Sequence, residues 1–251
     1  MSSYTFDPVY ARDRLVAEIR HYAKEEGFSK VVLGISGGKD STVAAALCAR
    51  ALGKENVYGI MLPDGKQKDI MDSYRVCEAL DVNHFEYNIM YLHEDLDALK
   101  RKVGDSKEAD INVAPRLRMT VLRYITQAIG ARLVGTGNMS EITVGYCTKD
   151  GDTSCDFSVL GGLTSVEVVQ VGLTMEELPQ DLVLKTPSDG LCGMSDEVKL
   201  GVSYEDIHQY IRRDQLIDDE THDKIKAIEI ASRHKRDRAH ILYNPTWEEA
   251  W

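Results

Sequence analysis

The chain has 251 residues, 43% hydrophobic and 28% charged, enough for one large α/β domain or two small ones, and no apolar run approaches the roughly 20 residues of a membrane span. A formal net charge of -11 argues against a large nucleic-acid partner, because phosphate backbones are bound by neutralising them with Lys and Arg; small phosphate ligands need only a local cluster. Five cysteines, Cys48, Cys77, Cys147, Cys155 and Cys192, form no Cys-x-x-Cys pair and read as reduced thiols, and the start Met1-Ser-Ser-Tyr-Thr-Phe-Asp7 lacks the basic and apolar regions of a signal peptide, which predicts a cytoplasmic protein.

Without repeats, low-complexity tracts or a linker, the chain reads as one domain, 1–251. Within it, an N-terminal helix is expected over 7–27, a nucleotide-binding core over 30–145, and a loop with C-terminal helices over 146–251. The stripe Leu15, Val16, Ile19, Tyr22 predicts the first helix, and the continuous apolar run Lys30–Ile35 predicts a buried parallel strand. An alanine-rich helix over Thr42–Leu52 and a strand over Val57–Leu62 follow, then an amphipathic helix over Asp69–Leu80 and a short strand near His84–Tyr87. Helices around Leu92–Lys102 and Arg118–Ile129 precede a strand over Ala131–Gly135. Thr148–Gly162, rich in Gly, Asp, Ser and Thr without periodicity, reads as a long functional loop, and helices return at Thr164–Leu173, Tyr204–Arg212 and Thr221–His234. This alternation predicts an α/β fold with a doubly wound, Rossmann-like parallel sheet of four or five strands.

Leu33-Gly-Ile-Ser-Gly-Gly-Lys-Asp-Ser-Thr42 stands where a strand ends and a helix begins, the place where free backbone N–H groups and a helix dipole meet an anion. Gly37 and Gly38 permit close backbone approach, and Ser36, Ser41 and Thr42 add hydroxyls. Neither Gly-x-x-x-x-Gly-Lys-[Ser/Thr] nor Gly-x-Gly-x-x-Gly is present. Asp40 beside a polyphosphate would repel it without a cation between them, which points to Mg2+.

The Ser-Gly-Gly-x-Asp-Ser string resembles the pyrophosphate loop of N-type ATP pyrophosphatases, which split ATP between the α and β phosphates to form adenylates. Within that superfamily, Asn112-Val-Ala-Pro-Arg116-Leu-Arg118-Met119, Gly135-Thr136-Gly-Asn138-Met-Ser-Glu141 and Gly145-Tyr146-Cys-Thr148-Lys149-Asp-Gly151-Asp152-Thr-Ser-Cys-Asp156 resemble NAD synthetase motifs. Lys185-Thr-Pro-Ser188, Asp196–Tyr204 and Ser232-Arg-His234-Lys235-Arg236 follow in that family's order. The resemblance implies an adenine-nucleotide α-hydrolase-like fold and a ligase that adenylates the nicotinate carboxylate of deamido-NAD and then amidates it with ammonia. It places ATP on Gly34, Ile35, Ser36, Gly37, Gly38, Lys39 and Ser41, with Thr136 and Ser188, and puts Mg2+ on Asp40 and Glu141. Arg116, Lys149, Asp156, His234 and Lys235 would contact deamido-NAD, in part across a homodimer. Asp40, Lys149 and Asp152 would be catalytic, with Asp152 and Asp156 candidates for binding ammonia.

Two departures stand out. A lysine of the family's better-known branch falls by spacing at Ser165, with Lys39 a candidate substitute, and Thr153-Ser154 replaces Gly-Gly after Asp152, which predicts a stiffer loop. The glutamine-dependent members carry an amidase domain ahead of the synthetase, and the 29 residues before Lys30 leave no room for one, so free ammonia is expected. Alternatives are a nucleotide-binding protein of the same fold with another adenylated substrate, such as a tRNA thiolase, or one with no activity. Some residues also have structural readings: Arg116 and Arg118 as solvated helix-head charges, Glu141 as the partner of Asn138 in a capping box, Arg233–Arg238 as a solvated helix end, and His21, His84, His93 and His208 as structural histidines.

Overall fold

A computed structural model describes residues 4–185, 196–212 and 217–237. Helix α1 (Pro8–Glu25) starts where Asp7 accepts hydrogen bonds from the N–H groups of Val9 and Tyr10, with proline in the first turn where its missing N–H removes nothing, and it buries Val16, Ile19 and Ala23. Strand β1 (Val31–Gly34) leads into α2 (Lys39–Leu52), whose Ala44, Ala45, Ala46 and Leu47 are fully buried because helices pack on it from outside while the sheet lies beneath. Then come β2 (Val57–Met61), α3 (Ile70–Leu80), β3 (Asn83–Glu86), α4 (Met90–Glu94), α5 (Asp97–Val103), α6 (Lys107–Ile129) and β4 (Arg132–Gly135). The chain closes through α7 (Met139–Val144), β5 (Phe157–Ser158), α8 (Ser165–Leu173), α9 (Gln180–Val183), α10 (Asp196–Leu200), α11 (Tyr204–Arg212) and α12 (Asp219–Ala231).

The five strands form one parallel sheet in the order β3-β2-β1-β4-β5. One face is covered by α1, α2, α3, α8 and α9, around Leu33, Leu47, Met61 and Met175. The other is covered by α6 and the α4 region, around Val32, Ile60, Leu122 and Leu133. Burial on both faces explains the continuous apolar run of β1, and each fully buried Leu or Ile contributes about 1.5–3 kcal/mol. A smaller cluster joins α7, α11 and α12 through Val144, Tyr204, Ile207 and Ile225. Among the described residues no helix is long and apolar enough to cross a membrane.

Three sequence expectations change. The helix expected from Arg118 begins eleven residues earlier, at Lys107, where Ser106 accepts from the N–H of Ala109 and Glu108 and Asp110 favour the first turn. It runs through Pro115, a residue that ordinarily breaks a helix interior, so Asn112 and Arg116 are helical residues rather than residues preceding the helix. The helix expected over Leu92–Lys102 is two short ones, and the long loop gives the edge strand β5, paired to Val134 and Gly135 over only two residues.

Candidate active site

The strand order reverses between β1 and β4, so the turns leaving their carboxyl ends flank one crevice, the usual ligand position in an open α/β sheet. Gly34 ends β1, and the N–H of Ile35 prolongs the ladder to Ile60. Gly37 then takes φ 75°, and a β-carbon there would come within 2.7 Å of the Asp72 β-carbon and 2.9 Å of the Ser73 nitrogen, so both conformation and packing demand glycine. Ser36 Oγ accepts from the Gly38 N–H and lies 3.2 Å from Ser41 Oγ, while Ser41 and Thr42 both donate to the Gly38 carbonyl. Gly38 is the N-cap of α2 and no side chain caps that first turn, which leaves an anion site of backbone N–H groups.

From the β4 side, Thr136 is half-buried directly after the strand and Asn138 is fully buried. Asn138 and Glu141 form the expected capping box at the head of α7: the Asn138 side chain accepts from the Glu141 N–H, and Glu141 Oε2 accepts from the Asn138 N–H. The same Asn138 donates through Nδ2 to Asp40 Oδ1 at 3.0 Å, across 98 residues of sequence. Lys39, only 4% exposed, donates to Asp40 Oδ2 at 2.5 Å and lies 5.5 Å from the centre of the Tyr204 ring. The protein around Glu141 and the charge of nearby Asp40 push its carboxyl up to about 8, partly offset by Lys39. A buried carboxyl pushed up beside a second carboxylate suits a cation, and among the described residues no cluster of three or more metal-ligating side chains exists. A donor pair of this kind fits Mg2+, which takes one or two carboxylates plus phosphate and water oxygens.

The loop after α7 holds the next group. Thr148 donates from its N–H to Asp152 Oδ1 at 2.6 Å and from its hydroxyl to Asn112 Oδ1 at 2.8 Å, and Thr153 Oγ1 accepts from the N–H of Asp150, whose φ of 62° is left-handed. Thr153 also donates to the Thr148 carbonyl, so the residue that replaces glycine stitches the loop to itself. Burial raises the Asp152 carboxyl above the usual range, only partly opposed by the Thr148 N–H. Arg116 donates to the Lys149 carbonyl at 3.2 Å, and Lys149 Nζ donates to the His234 carbonyl at 2.9 Å, so Arg116, Lys149 and His234 lie together on the rim.

Other sequence candidates are engaged in holding the frame. Lys235 donates to the carbonyls of Gly145 and Cys147 and thereby pins the turn that ends α7. Asp156 accepts from the Leu133 N–H and from Arg123; although burial alone would raise its carboxyl, these donors hold it below the usual range. Ser165 is buried at the head of α8, its N–H bonded to Ser140 Oγ. His84, His93 and His208 bond respectively to the Val82 carbonyl, Asp64 and the Thr164 hydroxyl. Burial pushes the Cys48 thiol up to about 12 and Cys147 to about 11, in keeping with unreactive thiols. Ser188, Cys192 and the Trp247–Trp251 tail lie outside the described residues.

Sequence reading assigned no functional role to Tyr204, whose ring underlies Lys39 and whose hydroxyl donates to buried Asp196. Arg118, which the Asn112–Met119 motif favours as a ligand contact over a solvated charge, donates to the Leu62 carbonyl just after β2. The Asp196–Tyr204 spacing was the available signal for Tyr204, since Tyr146 shares the same carboxylate.

The family model for NAD synthase matches residues 11–240. An NH(3)-dependent NAD(+) synthetase of Archaeoglobus fulgidus is 36% identical over 233 residues, covering 90% of this chain and 93% of that protein. Among solved structures, an NMN synthetase from Francisella tularensis superposes with a TM-score of 0.89 at 28% identity, covering 96% of this chain and 100% of that one. An NH3-dependent NAD synthetase from Campylobacter jejuni, in complex with nitrate, gives 0.79 at 25%, covering 95% and 100%. Since sequence relatives and fold agree over nine-tenths of the chain, the chain belongs to the NAD synthase family of NAD-biosynthetic ligases.

Proposed function

We propose that this chain amidates deamido-NAD with ammonia at the expense of ATP, with Mg2+, as a cytoplasmic homodimer. One observation carries the reading: the uncapped first turn of α2 and the Asp40–Glu141 carboxylate pair face one crevice at the sheet's switch point. A carboxylate is a poor electrophile, so the reaction proceeds in two displacements. A nicotinate carboxylate oxygen bonds to the α-phosphorus as the bond to the β-phosphate oxygen breaks, releasing pyrophosphate. Ammonia then bonds to the carbonyl carbon, the bond to the AMP oxygen breaks, and one proton leaves the nitrogen.

Asp40 and Glu141 would hold Mg2+, which supplies positive charge against the phosphate oxygens. The turn Gly34–Ser41, with Thr136 and Ser188, would seat the phosphates and align the α-phosphorus with the attacking oxygen. Lys149, Arg116, His234 and Lys235 would bind the dinucleotide, with Lys149 offsetting charge on the transition-state oxygens. Asp156, bound to Arg123, would shape that pocket through the Leu133 backbone. Asp152, whose carboxyl burial makes more basic, would take the proton from the attacking nitrogen.

A second reading replaces the dinucleotide by nicotinate mononucleotide, and it is favoured by the higher TM-score of the Francisella NMN synthetase. Purified protein should be given ATP and Mg2+, either deamido-NAD or nicotinate mononucleotide, and either ammonium or glutamine, while amide, AMP and pyrophosphate are followed. NAD from deamido-NAD and ammonium, with AMP, is the expected result. A kcat/KM that favours the mononucleotide selects the second reading, and no AMP with either substrate sinks both. Asp40→Ala should abolish turnover and leave the fold intact by circular dichroism; wild-type rates with Mg2+ would overturn the metal assignment.

A further inference from the structure

Asp40 is fully engaged in the free protein. One oxygen accepts from the Asn138 amide and the other from the Lys39 ammonium, at 3.0 and 2.5 Å. A divalent cation that binds Asp40 must displace one of these donors. Asn138 is the worse candidate, because it is fully buried and its amide oxygen also caps α7. Lys39 is a compact charge on a flexible four-carbon stem, and among the described residues its ammonium is held by Asp40 and the Tyr204 ring. It is nevertheless 4% exposed, an unusual burial for lysine, and it stands in the electrostatic field of Glu141 as well as Asp40.

We propose that Lys39 is a placeholder cation, which occupies the carboxylate pair until a divalent cation arrives and is then released toward the phosphates seated on its own helix turn. The proposal rests on the assignment of Asp40 and Glu141 as metal ligands and deepens it. In the empty site the ammonium prevents two carboxylates from facing each other without a counter-charge. In the loaded site it would return as a phosphate contact, at the head of α2 rather than at the head of α8, where Ser165 is buried against Ser140. Metal and nucleotide binding are thus coupled through one side chain: metal alone has to evict a lysine, whereas metal with ATP gives that lysine a new partner.

The test uses Mn2+ alone, titrated into the nucleotide-free full chain by calorimetry, for wild type, Lys39→Gln and Asp40→Asn. Removal of a competing charge at this distance should tighten Mn2+ binding by Lys39→Gln roughly tenfold and weaken binding of an ATP analogue in the presence of metal. Unchanged or weaker Mn2+ binding by Lys39→Gln, with Asp40→Asn losing the metal, overturns the placeholder role and leaves the metal site standing. Mn2+ binding by Asp40→Asn as tight as wild type overturns the metal assignment and the placeholder together. A readout on wild type is independent of whether the variant folds. Acetylation of Lys39 by an amine reagent, normalised to the exposed Lys54, should rise several-fold on saturation with Mn2+ and fall again on addition of ATP. Labelling that ignores Mn2+ overturns the proposal.

Discussion

Two glutamates stand at the same position of two successive helices and meet opposite fates. Glu141 closes the capping box Asn138-x-x-Glu141 at the head of α7, and Glu167 closes Thr164-x-x-Glu167 at the head of α8. Glu167 is completely buried, yet it is satisfied: Arg212 donates to both of its oxygens, the Tyr4 hydroxyl to one, and the Thr164 N–H to the other. Desolvation alone would raise its carboxyl, but these donors hold it below the ordinary value. Glu141 has the same local bond to its cap, but burial and then the charge of Asp40, standing where Glu167 has a guanidinium, push its carboxyl up instead. A capping box fixes where a carboxylate sits; its long-range partner decides whether it is a brace or a site.

The largest expected contrast comes from removing one charge at each place. Glu141→Gln keeps an oxygen for the Asn138 N–H, so the protein should melt at or above the wild-type temperature while turnover falls by a factor of roughly 10² or more, as for loss of a charge stabiliser. Glu167→Gln leaves Arg212 without its counter-ion and should lower stability by about 2–3 kcal/mol, a melting shift of roughly 4–12 °C for a chain of this size, with kcat per folded molecule retained. Scanning calorimetry beside initial rates on both variants decides it. Equal melting losses would erase the distinction between brace and site.

A smaller effect should appear in pH dependence, and the signs are opposite. Glu141 has a folded value above its unfolded one, so it contributes stability at low pH that is lost as pH rises from about 4.5 toward about 8. Glu167 has a folded value below its unfolded one, so it contributes stability above the unfolded value that is lost as pH falls. Melting profiles from about pH 2 to about pH 9, a range spanning both windows, should show Glu141→Gln flattening the decline above about pH 4.5 and Glu167→Gln flattening the acid one. Mg2+ should mimic Glu141→Gln, because a bound cation favours the charged form and offsets both the burial and the Asp40 charge that raise the value. An alkaline decline that neither Mg2+ nor the variant changes would place its origin elsewhere.

The contrast also marks what was readable in the sequence. Both capping boxes are four-residue patterns, and the phosphate turn is ten contiguous residues at the end of an apolar strand, so local chemistry specifies them. The bonds that separate Glu141 from Glu167 are not local: Asn138 reaches Asp40 across 98 residues, and Arg212 reaches Glu167 across 45. No spacing rule reports them. The start of α6 was lost because Pro115 ends most helices, whereas here the turn from Ser106 already supplies a cap and an acidic first turn. Strand β5 was lost because a two-residue edge pairing leaves no periodicity to read. Asp156 falls on a ligand motif, and only the fold reveals Arg123 beside it.

The finest comparison lies inside the substrate loop, between Thr153 and the glycine that the resembling family carries there. Thr153 Oγ1 receives the Asp150 N–H and gives its proton to the Thr148 carbonyl, closing a turn in which Asp150 holds a left-handed backbone. Thr148 in turn positions Asp152 through its N–H and contacts Asn112 on α6 through its hydroxyl. Thr153→Ala removes the closing bonds without adding the backbone freedom of glycine, and a pair of partly exposed hydrogen bonds is worth about 1 kcal/mol. Global melting should shift by no more than a few degrees, because the turn Thr148–Thr153 lies outside the main core clusters. The rate should respond more than the melt: with Lys149 and Asp152 less fixed, KM for the nicotinate substrate should rise severalfold and kcat fall less, the pattern of lost uniform binding. Thr153→Gly should add the entropy of a freer loop and weaken binding further. If both variants matched wild-type KM, the hydroxyl would be ornamental to the site and Asp152 would be held by the Thr148 N–H alone.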